Sequence, residues 1–301
     1  KRGAYVHTCD YWDEKRYSAD KAQQLHKYNQ TAKGRPLKIG NDRAYAKFLE
    51  EKMLGVQADG RIDRRKRYSP AAALAEARKA GYKTTVCVST LYSYITKHVF
   101  LRLTNKDLWE KGKKKKQGHK TVRRIAHPAL PSIANRPEEI NLREEKGHWE
   151  IDLVVGKEGK GPVLLTMVER KEREPLLFKL PDKRAESVRQ VFDTLERKMG
   201  KRRFRERFRT ITTDNGPEFL EYEKLVESIH GGERFRVYYC HSYSAWEKGS
   251  NENMNRMIRR WFPKGTDFSR VPKKEIAEFQ DWLYHYPRKV LGWKSPAELT
   301  L

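Results

Sequence analysis

Read by its apolar positions, the chain changes texture at residue 147. Ahead of that point hydrophobic residues recur every third or fourth position, the period of a helix with one buried face. Beyond it stretches spaced at every second position, the period of a strand, alternate with helical ones. In the first part, Tyr45, Phe48, Leu49 and Met53 form one apolar stripe that begins after Asp42. Ser69-Pro70 opens a second helix, with a side-chain cap followed by a residue whose missing amide hydrogen has no partner to lose in the first turn. Gly81 closes it. Ser89 caps a third, which carries Leu91, Tyr92, Ile95 and Val99. Three short helices with a tight connection predict a helix-turn-helix module whose last helix, residues 89–98, enters a major groove. A plain three-helix linker domain fits the same pattern. Arg61, Arg64, Arg65, Lys66 and Arg67, just ahead of Ser69, favour the DNA-binding reading.

In the second part, Trp149, Ile151, Leu153 and Val155 alternate with Glu150, Asp152 and Val154. A turn over 156–161 leads to a second strand over 163–169, and residues 176–180 make a third. Val188, Val191, Phe192, Leu195 and Met199 space a helix over 185–199. Further expectations are a strand over 208–213, a helix over 217–229, a strand over 236–239, and helices over 251–261 and 276–286. Three strands joined by short turns, followed by strands alternating with helices, predict an α/β fold: a mixed sheet flanked by helices, preceded by a small all-α domain. The expected divisions are 1–41, a basic segment with one short helix over 19–28; 42–100, the helix-turn-helix domain; 101–146, a basic linker; 147–272, the core; and 273–301, a terminal helix and tail. Within the linker, Lys111 to Arg124 holds eight Lys or Arg residues and no acid, a solvated arm able to track phosphates. The first residue is Lys rather than Met, and the expectation is a chain that begins partway through a longer protein.

Charge narrows the partner. Sixty-five Lys and Arg stand against 40 Asp and Glu, a formal net charge of +25. Self-repulsion on that scale suits a chain whose partner is a polyanion. The sequence has no apolar run of ~18 residues, no secretory leader pattern and no basic amphipathic helix of the interfacial type, so a membrane is not the expected partner. Cys9, Cys87 and Cys240 are few, widely spaced and without a CxxC pair, which points to a reducing compartment. His7 with Cys9, and Cys240 with His241, lack a second ligand pair at zinc spacing.

Against this basic background three acids stand out. In the run from Asn251 to Trp261, a helix puts Glu252, Asn255, Arg256 and Arg259 on one arc, and Met254, Met257, Ile258 and Trp261 on the opposite one. Asp152 falls within a strand and Asp214 at the carboxyl end of another. Phosphodiester chemistry needs an activated water or hydroxyl and a stabilised leaving oxygen, and two Mg²⁺ ions about 3.5–4 Å apart serve both. Mg²⁺ takes hard oxygen ligands. In such a site Asp152 would bridge two ions while Asp214 and Glu252 each hold one. Taken singly, Asp214-Asn215-Gly216 is as much a turn signal, and Glu252 suits a solvated helix face. Glu150 and Glu218 lie near enough in sequence to assist or to be structural. His241 alone is more simply structural.

The stretches WEIDLVVG, TTDNGPEF, YYCHSYSAWEKGSNENMNRMIRRWFPKGTDF and YPRKVLGWKSPAEL closely resemble bacterial transposases of the insertion-sequence-thirty type. The resemblance is dense from His148 to Leu301 and looser over 68–95 and 136–147. It implies a ribonuclease-H-like catalytic domain whose Asp-Asp-Glu triad falls on Asp152, Asp214 and Glu252, with Mg²⁺ as cofactor and Mn²⁺ as a substitute. It implies double-stranded DNA as partner, both the terminal inverted repeats of an element and the target. Cutting followed by strand transfer in a homo-oligomer is implied as well, in a bacterial cytoplasm. The 37 residues between Asp214 and Glu252 slightly exceed the family's usual spacing, with Gly231-Gly232 as a turn that absorbs the excess. In that frame Arg256 and Arg259 would clamp phosphates, Asn255 would orient Glu252 or a water, and Trp246 would stack on a splayed base or serve as a core tryptophan. Lys248 and Lys264 would touch the backbone. A nuclease on the same scaffold, or a catalytically silent DNA-binding protein, are the rival readings.

Overall fold

The computed structural model describes residues 5–7, 15–31, 37–109, 130–157, 161–241 and 244–300. The lysine-rich run at 111–124 and Cys9 lie outside the described residues. Strands β1 (Tyr5–His7) and β2 (Lys15–Tyr17) pair antiparallel ahead of helix α1 (Ala19–Thr31). No pattern in the sequence had marked that hairpin.

Helix α2 (Arg43–Leu54) starts where the Asp42 carboxylate accepts the Tyr45 amide at 2.9 Å. Helix α3 (Pro70–Lys79) starts at Ser69, whose hydroxyl accepts the Ala72 amide at 3.2 Å. Helix α4 (Val88–Thr96) begins earlier than expected, with Cys87 rather than Ser89 at the cap position. Residues 80–87 replace the expected tight turn: Gly81, at φ 81°, ends α3, and an extended stretch then buries Val86 before α4 can start. Tyr45, Leu49, Met53, Leu91 and Ile95 close a small core of their own. Phe100 and Leu103 complete that core, and the buried Glu50 carboxylate accepts the amides of Arg102 and Leu103 at 2.5 and 3.0 Å. The helical module therefore runs past residue 100.

At the far end of the expected linker, residues 130–146 are built onto the sheet. Pro131 accepts the Tyr239 amide at 2.8 Å, and Ile133 and Ile140, the latter in helix α5 (Glu138–Leu142), are buried. The sheet comprises β3 (His148–Val154), β4 (Val163–Glu169), β5 (Pro175–Leu180), β6 (Thr210–Thr213) and β7 (Arg236–Tyr239), in the order β5-β4-β3-β6-β7. The first three are antiparallel neighbours, and β6 and β7 run parallel to β3. This mixed, helix-flanked sheet is the ribonuclease-H-like α/β arrangement.

Helix α6 (Ala185–Met199) is followed by α7 (Lys201–Arg207), which no pattern had marked; the strand expected over 208–213 starts only at Thr210, and Phe204 and Phe208 are buried in the core. The helix expected over 217–229 is broken into a 3-10 turn (Pro217–Phe219) and α8 (Tyr222–Val226). The Tyr239 hydroxyl donates to the Phe219 carbonyl, the group a continuous helix would offer to residue 223. Gly231 and Gly232, both at positive φ, form the turn into β7.

Two cores cover the sheet. On one face Trp149, Ile151, Met167 and Ile211 meet Phe192 of α6 and Phe204 and Phe208. On the other, Val154, Leu164 and Val168 meet helix α9 (Gly249–Trp261) and helix α10 (Lys273–His285), which contributes Phe279 and Leu283. Ala72 of α3 joins this second core. Arg65 pairs with Glu275 at 2.7 Å and Lys66 with Glu278 at 2.5 Å, keying the helical module to α10. A short helix α11 (Ala297–Thr300) follows. Among the described residues no helix is long and apolar enough to cross a membrane.

Phe192 is fully buried against Phe208 and Phe235, with ring centroids 6.3 and 4.9 Å away. Phe192→Ala is expected to lower stability by ~3–5 kcal/mol, read from urea unfolding.

Candidate active site

The alternation of β3 sends Trp149 and Ile151 to the α6 face, and Glu150, Asp152 and Val154 to the α9 face. Met254, Met257, Ile258 and Trp261 bury one side of α9. The opposite arc leaves Glu252 and Arg256 exposed, with Asn255 and Arg259 partly covered. Helix and strand are thus held with their polar groups converging at the carboxyl ends of β3 and β6.

The first turn of α9 is tied to β3 by Glu150, which is completely buried. One carboxylate oxygen accepts the amides of Ser250 and Asn251, each at 3.0 Å; the other accepts the Ser250 hydroxyl at 3.1 Å and lies 3.2 Å from Arg170 Nε. A carboxylate among the free amides of a helix start satisfies donors that have no partner within the helix, and the helix dipole favours the charge. Thr166, opposite Asp152 on β4, adds a second tie: its hydroxyl lies 3.1 Å from both the Asp152 carbonyl and the Asn251 side-chain oxygen. The shared strand face of Glu150 and Asp152 was visible in the sequence. The partnership of Glu150 with Ser250 and Arg170 was not.

Docked in this way, α9 brings Asn255 to Asp152, and the Asn255 amide donates to Asp152 Oδ2 at 2.6 Å. Asp214 stands one residue beyond β6, in a turn held by the Gly216 amide on its Oδ1 (3.2 Å) and by Asn215 on the Cys240 carbonyl (2.9 Å). Between the two aspartates lies the Lys248 ammonium, 3.4 Å from Asp152 Oδ1 and 3.1 Å from Asp214 Oδ2. Lys248, expected at the backbone-contacting surface, is therefore buried inside the acid cradle.

Burial holds the Asp152 carboxyl above its ordinary range; Lys248 opposes that shift and the nearby Asp214 charge adds to it. Burial also works to lower the Lys248 ammonium, but the pull of Asp152 and Asp214 outweighs it and leaves the group above its usual value. Glu218 curls over Gly216, where an added Cβ would meet its carboxyl carbon at 2.8 Å. Its carboxyl is raised by burial and then by the charges of Asp214 and Asp152, so it belongs to the same electrostatic cluster.

Glu252 turns outward and meets Arg256 one turn on, at 3.4 Å. Arg259 donates to the Val155 carbonyl at 2.9 Å, at the end of β3. Gly156 follows, in a spot where a Cβ would strike the Thr266 carbonyl at 2.2 Å, so glycine lets the turn after α9 close on the strand. Lys264 is exposed in that turn. Trp246 sits in the 3-10 turn Ala245–Lys248, with its side chain outside the described residues. His241 is engaged with Glu247 through its ring (2.7 Å) and its amide (2.8 Å), away from the acids. Cys240 is buried, with its thiol pushed up to about 12 by desolvation, unsuited to metal or nucleophilic work.

Hard carboxylate oxygens already converging on one cation suit a divalent metal ion. Asp152 and Asp214 meet that requirement. Among the described residues no three His, Cys, Asp or Glu side chains gather closely enough to hold a metal, and Glu252 is paired with Arg256.

Residues 143–244 match the integrase core domain family. The chain is 37% identical over 183 residues to the transposase for insertion sequence element IS4351 of Bacteroides fragilis, covering 61% of this chain and 53% of that protein. It is 33% identical over 171 residues to the transposase InsI for insertion sequence element IS30A of Escherichia coli strain K12, covering 56% and 41%. The chain spans about half the length of the curated relatives it matches. The crystal structure of the catalytic core domain of BIV integrase aligns with a TM-score of 0.36 at 15% identity, over 52% of this chain and 93% of that one.

Replacing Glu150 removes the anion shared by the α9 amides and the buried Arg170. Glu150→Gln is expected to lower stability by ~3–5 kcal/mol, measured by urea unfolding without added metal.

Proposed function

We propose that this chain, which carries an integrase core domain shared with insertion-sequence transposases, cuts the ends of a DNA element and joins them to target DNA. The observation that carries this reading is the pair Asp152, within β3, and Asp214, one residue beyond the adjacent parallel strand β6, converging on a single buried cation. Asp152, Asp214 and Glu252 are the residues that would hold divalent cations, Mg²⁺ by preference and Mn²⁺ as a substitute. When bound, the cations supply activation of the attacking oxygen and charge stabilisation of the leaving one. Glu252, paired with Arg256 in the structure, would join the set by releasing it.

The chain's own residues do the rest. Asn255 fixes Asp152 by its amide, so one carboxylate oxygen stays directed at the cradle. Arg256, once released, and Arg259 and Lys264 around the end of α9 supply positive charge for the phosphates on either side of the reacting one. Trp246 offers a stacking surface for a base splayed from the duplex end. Water attacks a phosphodiester at the element end and frees a 3′-hydroxyl; that hydroxyl then attacks a target phosphodiester, with a 3′-oxygen of the target as leaving group. Both displacements occur at phosphorus, so no covalent link to the protein is required. Helix α4 would read the terminal repeat in a major groove, the net charge of +25 supports extended backbone contact, and several copies would assemble on the DNA.

Labelled element ends, incubated with protein and Mg²⁺, test the proposal: 3′-end cleavage followed by joining is expected. Cleavage without joining would leave a nuclease, and neither would leave a binding protein. Asp152→Asn, Asp214→Asn and Glu252→Gln are each expected to reduce both steps by about a thousandfold or more, with duplex binding retained in a mobility-shift assay. Activity retained in any one variant removes that residue from the assignment.

A further inference from the structure

The acid cradle already holds a cation that the protein itself supplies. Lys248 Nζ lies 3.4 Å from Asp152 Oδ1, 3.1 Å from Asp214 Oδ2 and 3.4 Å from the Ile151 carbonyl, on a side chain only 9% exposed. Among the described residues neither aspartate has another ion pair. A buried ammonium is costly unless carboxylates and carbonyls surround it, and here the three oxygens that do so are clustered at the candidate metal seat. A divalent cation held by the same two carboxylates would meet a like charge a few ångströms away. The two would compete for the same oxygens.

We propose that Lys248 is a resident counter-cation: it holds Asp152 and Asp214 together in the cation-free protein and must swing out when a divalent cation binds. This rests on the reading of Asp152 and Asp214 as the metal-holding pair. The lysine is the last residue of the turn Ala245–Lys248, directly ahead of α9, so its departure is a local event at the mouth of the site. Glu150 anchors the residues that follow, Ser250 and Asn251, and keeps the helix in place while the side chain leaves. Once displaced, the ammonium stands beside the loaded acids, where the phosphate of a DNA strand arrives. One positive charge thus serves in turn as counter-ion to the acids and as contact to the substrate. Lys248 is a positioning residue that couples cation loading to substrate binding.

Two measurements without turnover test this. Lysine acylation of the wild-type protein, quantified by mass spectrometry, should leave Lys248 protected without metal and raise its labelling at least about fivefold with Mn²⁺, as burial is relieved. Calorimetric titration should show Mn²⁺ binding about tenfold more tightly to Lys248→Met than to wild type, because a competing charge worth about one pK unit has gone. Lys248→Gln repeats the measurement if the methionine variant fails to fold. Lys248 labelled without metal, or protected in both states while Mn²⁺ binds, overturns the inference, as does unchanged affinity in the variants. Mn²⁺ binding that is lost in Asp152→Asn keeps the metal reading intact in those cases. Absence of Mn²⁺ binding to every form overturns both.

Discussion

Everything at the candidate site takes its geometry from the Glu150 carboxylate set against the first amides of α9. A helix start offers several N–H groups with no partner inside the helix, and a buried carboxylate offers lone pairs that water cannot reach. Each satisfies the other's need, and neither is stable in that position alone. The contact joins β3 to a helix about a hundred residues later in the chain. Because Asp152 lies two residues along the same strand, and Asn255 one turn along the same helix, one anchoring contact brings both into hydrogen-bonding range.

Apolar packing makes that contact durable. Met254, Ile258 and Trp261 bury the underside of α9 against β4 and α10, so the helix can neither roll nor slide without opening the core. The polar arc of α9 is consequently presented at a fixed height above the sheet. The helical module adds to this from outside: Ala72 enters the same core, and Tyr68 packs on Trp282 and Tyr286, with ring centroids 6.5 and 5.1 Å away. The part of the chain expected to read DNA and the part carrying the acids share one hydrophobic layer. Relative position between them is then a property of packing as well as of the linker.

The site also resolves an electrostatic tension within a strongly basic chain. Carboxylates placed close together repel, and burial raises the cost of ionising them, as the elevated Asp152 and Glu218 carboxyls show. Lys248 relieves the repulsion locally. The same excess of basic charge that would attract a DNA backbone at long range supplies one ammonium at short range to hold the acids together.

Periodicity by itself determined much of this protein: the strand through Trp149 and Ile151, the helix over 185–199 and the two faces of α9 are legible as spacing of apolar residues, and short apolar runs marked the strands over 163–169 and 236–239. Local chemistry marked the cap at Ser69 as well. What only the tertiary structure decided involves partners distant in the chain. Glu150 reads as an ordinary strand acid until Ser250 and Arg170 surround it. Lys248 reads as a surface cation until Asp152 and Asp214 flank it. The helix over 217–229 reads as continuous until Tyr239 takes the Phe219 carbonyl. Spacing reports which side of an element is buried, because burial is set by each residue's own transfer from water. It is silent on which distant polar group completes a buried charge, because that pairing exists only once the sheet has brought the strands and α9 together.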